Sequence, residues 1–341
     1  MEYPKFKVTV SCMTYNQSKY ITDAMNGFTM QQTSFPFVCT IVDDASTDGE
    51  QEVIRKYVEN NFDFSEGSVA YHKETDYAHI TYAQHKTNNN CYFAVLYLKE
   101  NHYSKHKDKS PYLKDWRDGV EYMAICEGDD YWINIYKLQK QVNFLDNNSD
   151  YSLVFGKYHI FLQERAVSKT PKSNEYKGLV SLLRHNMIAT ASVLYRSEIQ
   201  KKYSEEIGMR EGWKMGDYPL WLFTAINSKI GYIPDVFSVY RVLSESASHS
   251  KEFDTIRNFI INVQEIRAFF INKYNLQHLI SKEELIDDTN RSLFVHAYSM
   301  GYIEECKKYG RMVKKKSSIE RLKYLLCYSP ILYSILNKQK A

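Results

Sequence analysis

The 341-residue chain is long enough to bury a full core, as one large domain with an appendage or as two modest domains. Charged residues make up 25% of it, yet the formal net charge is only +3, which excludes a global field for a polyanion, so no nucleic-acid partner is expected. Six scattered cysteines (Cys12, Cys39, Cys91, Cys126, Cys306, Cys327) form no Cys-x-x-Cys pair. Met1-Glu2-Tyr3-Pro4-Lys5 lacks the build of a signal peptide, and no apolar run reaches the ~18 to 20 residues needed to span a bilayer. The expectation is a reduced, cytoplasmic protein, in which the Asn-x-Ser matches at Asn16, Asn147 and Asn290 arise by chance.

Residues 6–12 read as a buried strand, followed by a helix near Ser18 whose apolar face is Ile21, Ala24, Met25 and Phe28. A second strand over 37–42 runs into Asp43-Asp44-Ala45-Ser46-Thr47-Asp48-Gly49, then a helix over 50–60 and a short strand at 69–71. This alternation predicts a parallel α/β sheet with ligand groups on loops at the strand C-termini. Residues 88–97 read as helical, and 102–118 as a polar surface excursion interrupted by Pro111. The apolar run from Tyr122 ends in Glu127-Gly128-Asp129-Asp130-Tyr131-Trp132. A helix over 135–145, a strand over 151–161, a helix over 179–184 and a strand over 190–195 follow. Gly216-Asp217 opens another helix, and one or two strands over 230–242 close the sheet.

After residue 250 the periodicity is helical, so the chain divides into an α/β domain over 1–250 and a helical region over 251–341. Lys307, Lys308, Arg311, Lys314, Lys315, Lys316, Arg321 and Lys323 cluster there, ahead of an apolar stretch broken by Pro330. Such a segment suits an anionic membrane surface, and equally a helix packed back on its own domain with a solvated basic face.

Three carboxylates crowded at a strand end repel one another. They suit either a solvated helix-capping turn or a hard divalent cation that also holds a phosphate. Tyr15 offers a ring on which a base can stack, and Asp44 an acceptor for a base or ribose. Asp129 and Asp130 are candidate ligands for Mg²⁺ or Mn²⁺. Asp217 is a candidate general base, or an ordinary helix cap. In a parallel sheet these loops share one edge although they lie far apart in sequence.

The ordered series Val8 to Gln17, Ile41 to Gly49, Glu127 to Trp132 and Gly216-Asp217 resembles the motifs of family 2 glycosyltransferases, over roughly residues 5 to 245. The resemblance implies a GT-A fold, Rossmann-like, with a mostly parallel central sheet flanked by helices, here with a C-terminal helical extension. It also implies inverting transfer from a nucleotide-diphosphate sugar, most often a UDP-sugar, with Mn²⁺ or Mg²⁺. Carried over by position, Thr14, Tyr15, Asn16, Asp43, Asp44, Ser46, Glu127 and Asp129 would bind the nucleotide sugar. Asp129 and Asp130 would hold metal, and Asp217 would be the base. The sequence departs from the family pattern in having Glu127 where an aspartate is usual, and Gly216 where many relatives have glutamate.

His249 stands where some relatives close a loop over the diphosphate and is a candidate third metal ligand. Trp132 and Trp213 are candidate faces for an acceptor sugar, or simple packing. Arg241 is a candidate phosphate contact, or an ion-paired arginine. The segment over 72–118, longer than in many relatives, would shape the acceptor side or be a passive insertion. The implied acceptor is a glycan or lipid-linked glycan hydroxyl, used by an enzyme peripheral on the inner face of a membrane. The alternatives are a non-catalytic nucleotide-binding scaffold and a nucleotidyltransferase. The latter would carry a Gly-rich, Lys- or Arg-bearing phosphate loop after the first strand, which Met13-Thr14-Tyr15-Asn16-Gln17 is not.

Overall fold

The computed structural model of the chain describes residues 4–169, 176–208, 210–243, 250, 252–329, 331 and 333–334. In chain order the elements begin β1 (Val8–Thr14), α1 (Ile21–Thr29), β2 (Phe37–Asp43), α2 (Glu50–Asn61), β3 (Tyr71–Glu74), β4 (Ala78–Gln84) and β5 (Cys91–Leu98). They continue with α3 (Lys114–Arg117), β6 (Tyr122–Ile125), β7 (Tyr131–Trp132), α4 (Lys137–Asp146), β8 (Tyr151–Leu162) and β9 (Val167–Lys169). Next come α5 (Leu179–Arg184), β10 (Leu194–Arg196), α6 (Ser197–Glu206), α7 (Asp217–Asn227) and β11 (Lys229–Val242). The chain then turns helical, with α8 (Phe253–Lys273), α9 (Lys282–Met300), α10 (Ile303–Met312) and α11 (Ser318–Leu326).

The architecture is mixed α/β, with a large central sheet flanked by helices. Its strands run in the order β3-β4-β5-β2-β1-β6-β10-β8-β11-β7, with β9 paired to β8. The centre is parallel, β1 pairing with both β2 and β6, and β2 with β5. The flanks are antiparallel. Every residue of β2 and of β5 is buried, which explains their near-continuous apolar sequences. Ile21, Ala24, Met25 and Phe28 of α1 pack on this sheet together with Ile54 and Val58 of α2 and Leu138, Val142 and Leu145 of α4.

The helix read over 88–97 is instead β5, a central strand. An apolar run buried on both faces carries no period that separates helix from strand, and its eight-residue length fits a strand. The excursion read over 102–118 falls within a stretch of loop and short helix that runs from Lys99 to the strand at Tyr122, and β4 and β5 form an antiparallel hairpin ahead of it.

The chain separates into two compact units. The first comprises Met1–Tyr176, Met187–Gly208 and Thr224–Arg241, and holds the sheet. The second comprises Lys177–Asn186, Met209–Phe223 and Val242–Ala341. It therefore takes in two segments that a single boundary near residue 250 would assign to the α/β domain. Its core gathers Phe253, Leu293, Phe294, Ala297, Tyr298, Cys306 and Tyr309. Cys306 and Cys327 form a disulfide in this unit, so the expectation of six free thiols is corrected; Cys12, Cys39, Cys91 and Cys126 are free and buried. Among the described residues no helix is long and apolar enough to cross a membrane.

Candidate active site

The C-terminal ends of β1 and β2 lie side by side, with Thr14 paired to Asp43. Beyond them the two following loops are tied together. The Asn16 backbone N–H donates to Ser46 Oγ (2.9 Å), and the Thr47 N–H donates to Asn16 Oδ1 (2.8 Å). Both turns use left-handed backbone at a non-glycine residue, Asn16 at φ 55° and Ala45 at φ 62°. Asparagine tolerates that region, whereas alanine is held there against its preference by the surrounding bonds.

Those bonds converge on Glu50, a residue the sequence reading left in the first turn of an ordinary helix. Its side chain is fully buried and accepts from the Thr14 hydroxyl, from the Gln17 N–H (2.8 Å) and from Ser46 Oγ (2.8 Å). Burial raises its pKa, while the hydrogen bonds from Gln17, Thr14 and Ser46 pull the other way. With Thr14 and Ser46 already bonded inside the protein, Tyr15 is presented outward, 46% exposed, beside the exposed Asn16. Asp43 is buried, accepting from the Ser46 N–H and Gln51 Nε2, and its Oδ2 has no hydrogen-bond partner.

The acidic stretch is brought to the same edge. β6 runs parallel to β1, and past its end the Gly128 N–H donates to the Met13 carbonyl (3.2 Å). A side chain at Gly128 would collide with the Gln17 amide oxygen and the Thr14 side chain, its Cβ falling 2.8 Å from Thr14 Cβ. Glycine is therefore what lets the acidic turn lie against the Tyr15 loop. Glu127 is exposed, Asp129 half-buried and Asp130 only 4% exposed. Burial raises the pKa of both aspartates, and for Asp130 the neighbouring Asp129 adds to it.

Asp130 is tied into the fold by a bond that its sequence position does not reveal. Its Oδ1 accepts the Arg241 backbone N–H (2.8 Å), delivered by β11 where it pairs with β7. Arg241 is buried as well: its guanidinium donates to the Asp129 carbonyl, to Gln163 Oε1 and to Asp23 Oδ2, and lies over the rings of Tyr20 and Tyr131. It is thus the ion-paired arginine of the two readings, clamping the acidic turn. Exposed Glu127 and half-buried Asp129 offer hard oxygen donors of the kind that suit a divalent cation completed by phosphate oxygens. No cluster of three or more metal-ligating side chains occurs among the described residues.

Asp44 is 5% exposed and committed on both oxygens. Oδ1 accepts the His102 N–H (2.8 Å), while Oδ2 accepts the Tyr103 N–H (3.0 Å) and pairs with Lys109 Nζ (2.9 Å). It therefore straps the loop after β5 to the end of β2. Trp132, a candidate sugar platform, is a core residue at 2% exposure, with Nε1 donating to the Ala191 carbonyl and its ring 5.0 Å from that of Phe28.

The other candidates lie in the second unit. Trp213 packs edge-on to Phe269 at 5.4 Å, on the face of α8. Asp217 is half-buried in the first turn of α7. His249 falls outside the described residues. A cavity of about 380 Å³ in the first unit, lined by Arg55, Phe64, His72, His79 and Tyr97 among others, contains none of the residues selected from sequence.

No family model matches the sequence. Uncharacterized proteins of Mycobacterium tuberculosis and Mycobacterium bovis are 29% identical to the chain over 250 residues, 72% of its length. The match covers 62% of those relatives' own length, so the chain corresponds to only part of them. Among solved structures it is similar to residues 1–349 of S. aureus TarS in complex with UDP-GlcNAc, with 18% identity and a TM-score of 0.47 over 98% of this chain and 92% of that one. It is also similar to the mannosyltransferase PcManGT from Pyrobaculum calidifontis in complex with GDP-Man and Mn²⁺, with 12% identity and a TM-score of 0.49 over 98% and 89%.

Proposed function

We propose that the chain is an inverting glycosyltransferase that takes its sugar from a nucleotide-diphosphate sugar, with UDP as the nucleotide. The observation that supports this most is the contact at Gly128, which sets an exposed aromatic ring and two accessible carboxylates on one sheet edge. The nucleobase stacks on Tyr15, and Asn16 and Ser46 fix the loop beneath it. Asp44 acts by holding the 101–109 loop beside the base rather than by offering a free carboxylate. Glu127 faces the ribose. Asp129, with Glu127 near it, holds Mn²⁺ or Mg²⁺. A bound cation supplies charge neutralisation on the departing diphosphate.

Asp217 is assigned as the base by its place in the motif series. It takes the proton from an acceptor hydroxyl, whose oxygen attacks the anomeric carbon from the side opposite the diphosphate, so that configuration inverts. By the habit of the resembled family the acceptor is a hydroxyl of a growing, lipid-linked cell-envelope glycan.

Turnover of a UDP-sugar panel, read as UDP release with and without Mn²⁺, tests the reading. Asp217→Asn is expected to lower turnover about 10²- to 10⁴-fold while UDP affinity stays within about threefold. Gly128→Ala, by contrast, pushes the acidic turn off β1 and weakens UDP binding by about tenfold or more. UDP binding without turnover on any acceptor, unaffected by Asp217→Asn, would instead assign a nucleotide-binding scaffold.

A further inference from the structure

The helical unit carries an apolar face directed outward. α11 is firmly seated by its other side. Ser317 and Glu320 form a capping box, Glu320 pairs with Arg291 of α9, and Cys327 at its end is bonded to Cys306 of α10. Tyr324 packs so tightly over Gly310 that a side chain there would collide with its ring. A helix fixed this way ordinarily shows polar residues to water. Here Ile319 is 69% exposed, Leu322 57% and Leu325 66%, and Ile331 beyond the helix is 76% exposed.

Charge accompanies this ridge. Glu304, Glu305 and Glu320 are each engaged by a cation of their own, Lys307, Lys308 and Arg291. Lys314, Lys315 and Arg321 have no carboxylate partner among the described residues, and the Lys314 and Lys315 side chains are exposed immediately before the ridge.

We propose that this face of α11, with the basic turn preceding it, docks on an anionic lipid bilayer surface. The leucines and isoleucines enter the interfacial layer, while the lysines and Arg321 meet lipid phosphates. A second copy of the chain is a poorer occupant, because a two-fold contact through this face would set the unpaired cations against their own kind. The inference is independent of the catalytic reading, because it rests on the helical unit alone.

Flotation of the full chain with vesicles tests it, comparing phosphatidylcholine alone with an equal mixture of phosphatidylcholine and phosphatidylglycerol at physiological salt. Binding to the anionic vesicles should exceed that to neutral ones by about tenfold or more, and should fall as salt is raised. Lys314→Gln with Lys315→Gln, two exposed positions outside any helix, should weaken it by about 25-fold, at roughly fivefold per basic residue lost. Leu322→Ser with Leu325→Ser should weaken it as well, with an unchanged melting temperature. Absence of flotation with anionic vesicles, or equal flotation of the lysine variant, overturns the proposal. So does a concentration-dependent dimer in sedimentation velocity that the leucine variant abolishes, since the face would then belong to a second copy.

Discussion

At the scale of single residues, the physics most easily misread from sequence is that of buried charge. Lys137, in the first turn of α4, would be taken for a solvated cation; it is fully buried, with Nζ donating to Gln141 Oε1 and the Val193 carbonyl and lying 4.2 Å from the centre of the Trp132 ring. Burial pushes its pKa down to about 7. The folded value is thus below the unfolded one. Below neutrality both states carry the proton and the full desolvation cost acts against folding. Above it only the unfolded chain holds the proton, so stability rises with pH by about 1.4 kcal/mol per unit. Between about pH 6 and pH 9 the wild type should therefore gain roughly 2 to 3 kcal/mol relative to Lys137→Met, with other titrations cancelling in the difference. Urea denaturation of both proteins across that range measures it, and parallel curves would show that the amine is hydrated. Glu50 teaches the same lesson at the site. Its place after Asp48-Gly49 marks a helix start, and nothing local reveals that three loop groups converge on it.

At the scale of elements, the strands were legible where a turn-forming loop follows them, and illegible where a uniformly apolar run carries no such mark. Val8–Thr14 and Phe37–Asp43 declare themselves by the loops that follow them, whereas Cys91–Leu98 offers only a uniform apolar run. That strand changes the meaning of its successor. The loop from Asn101 to Lys109 is held to β2 by one carboxylate, through two backbone N–H groups and an ammonium. Removing it in Asp44→Ala strands the largely buried Lys109 and costs about 2 kcal/mol or more locally. Limited trypsin digestion is the direct measurement. Cleavage after the exposed Lys105 and Lys107 should quicken by about tenfold or more, because it tracks the open population. An unchanged rate would mean that the strap contributes nothing to order in the loop.

At the scale of the whole chain, two compact units are assembled from interleaved segments, and α7 runs from one into the other. A single boundary read from composition misses this, because periodicity reports an element's type and not its neighbours. The disulfide is a similar case: Cys306 and Cys327 are far from any spacing rule, and only the approach of α11 to α10 pairs them. Denatured, unreduced protein should show four titratable thiols, and reduction should add two. Six thiols before reduction would mean that the bond does not form. With a sequence separation of 21 between its ends, the bond is worth about 3 kcal/mol in the chain-entropy account, to be read as the difference between urea curves with and without reductant.

The sequence by itself determined the α/β character of the chain, the loops at the strand ends and which side chains in them have chemistry to offer. Those are local properties, set by residue type and by period along the backbone. Which of those side chains stay accessible was decided by tertiary structure. Tyr15 and Glu127 stay exposed and Asp129 half-buried, while Asp44, Asp130, Arg241 and Trp132 are buried and bonded to groups far away in sequence. A carboxylate's role depends on the donors around it, and those are fixed only when distant strands come into register.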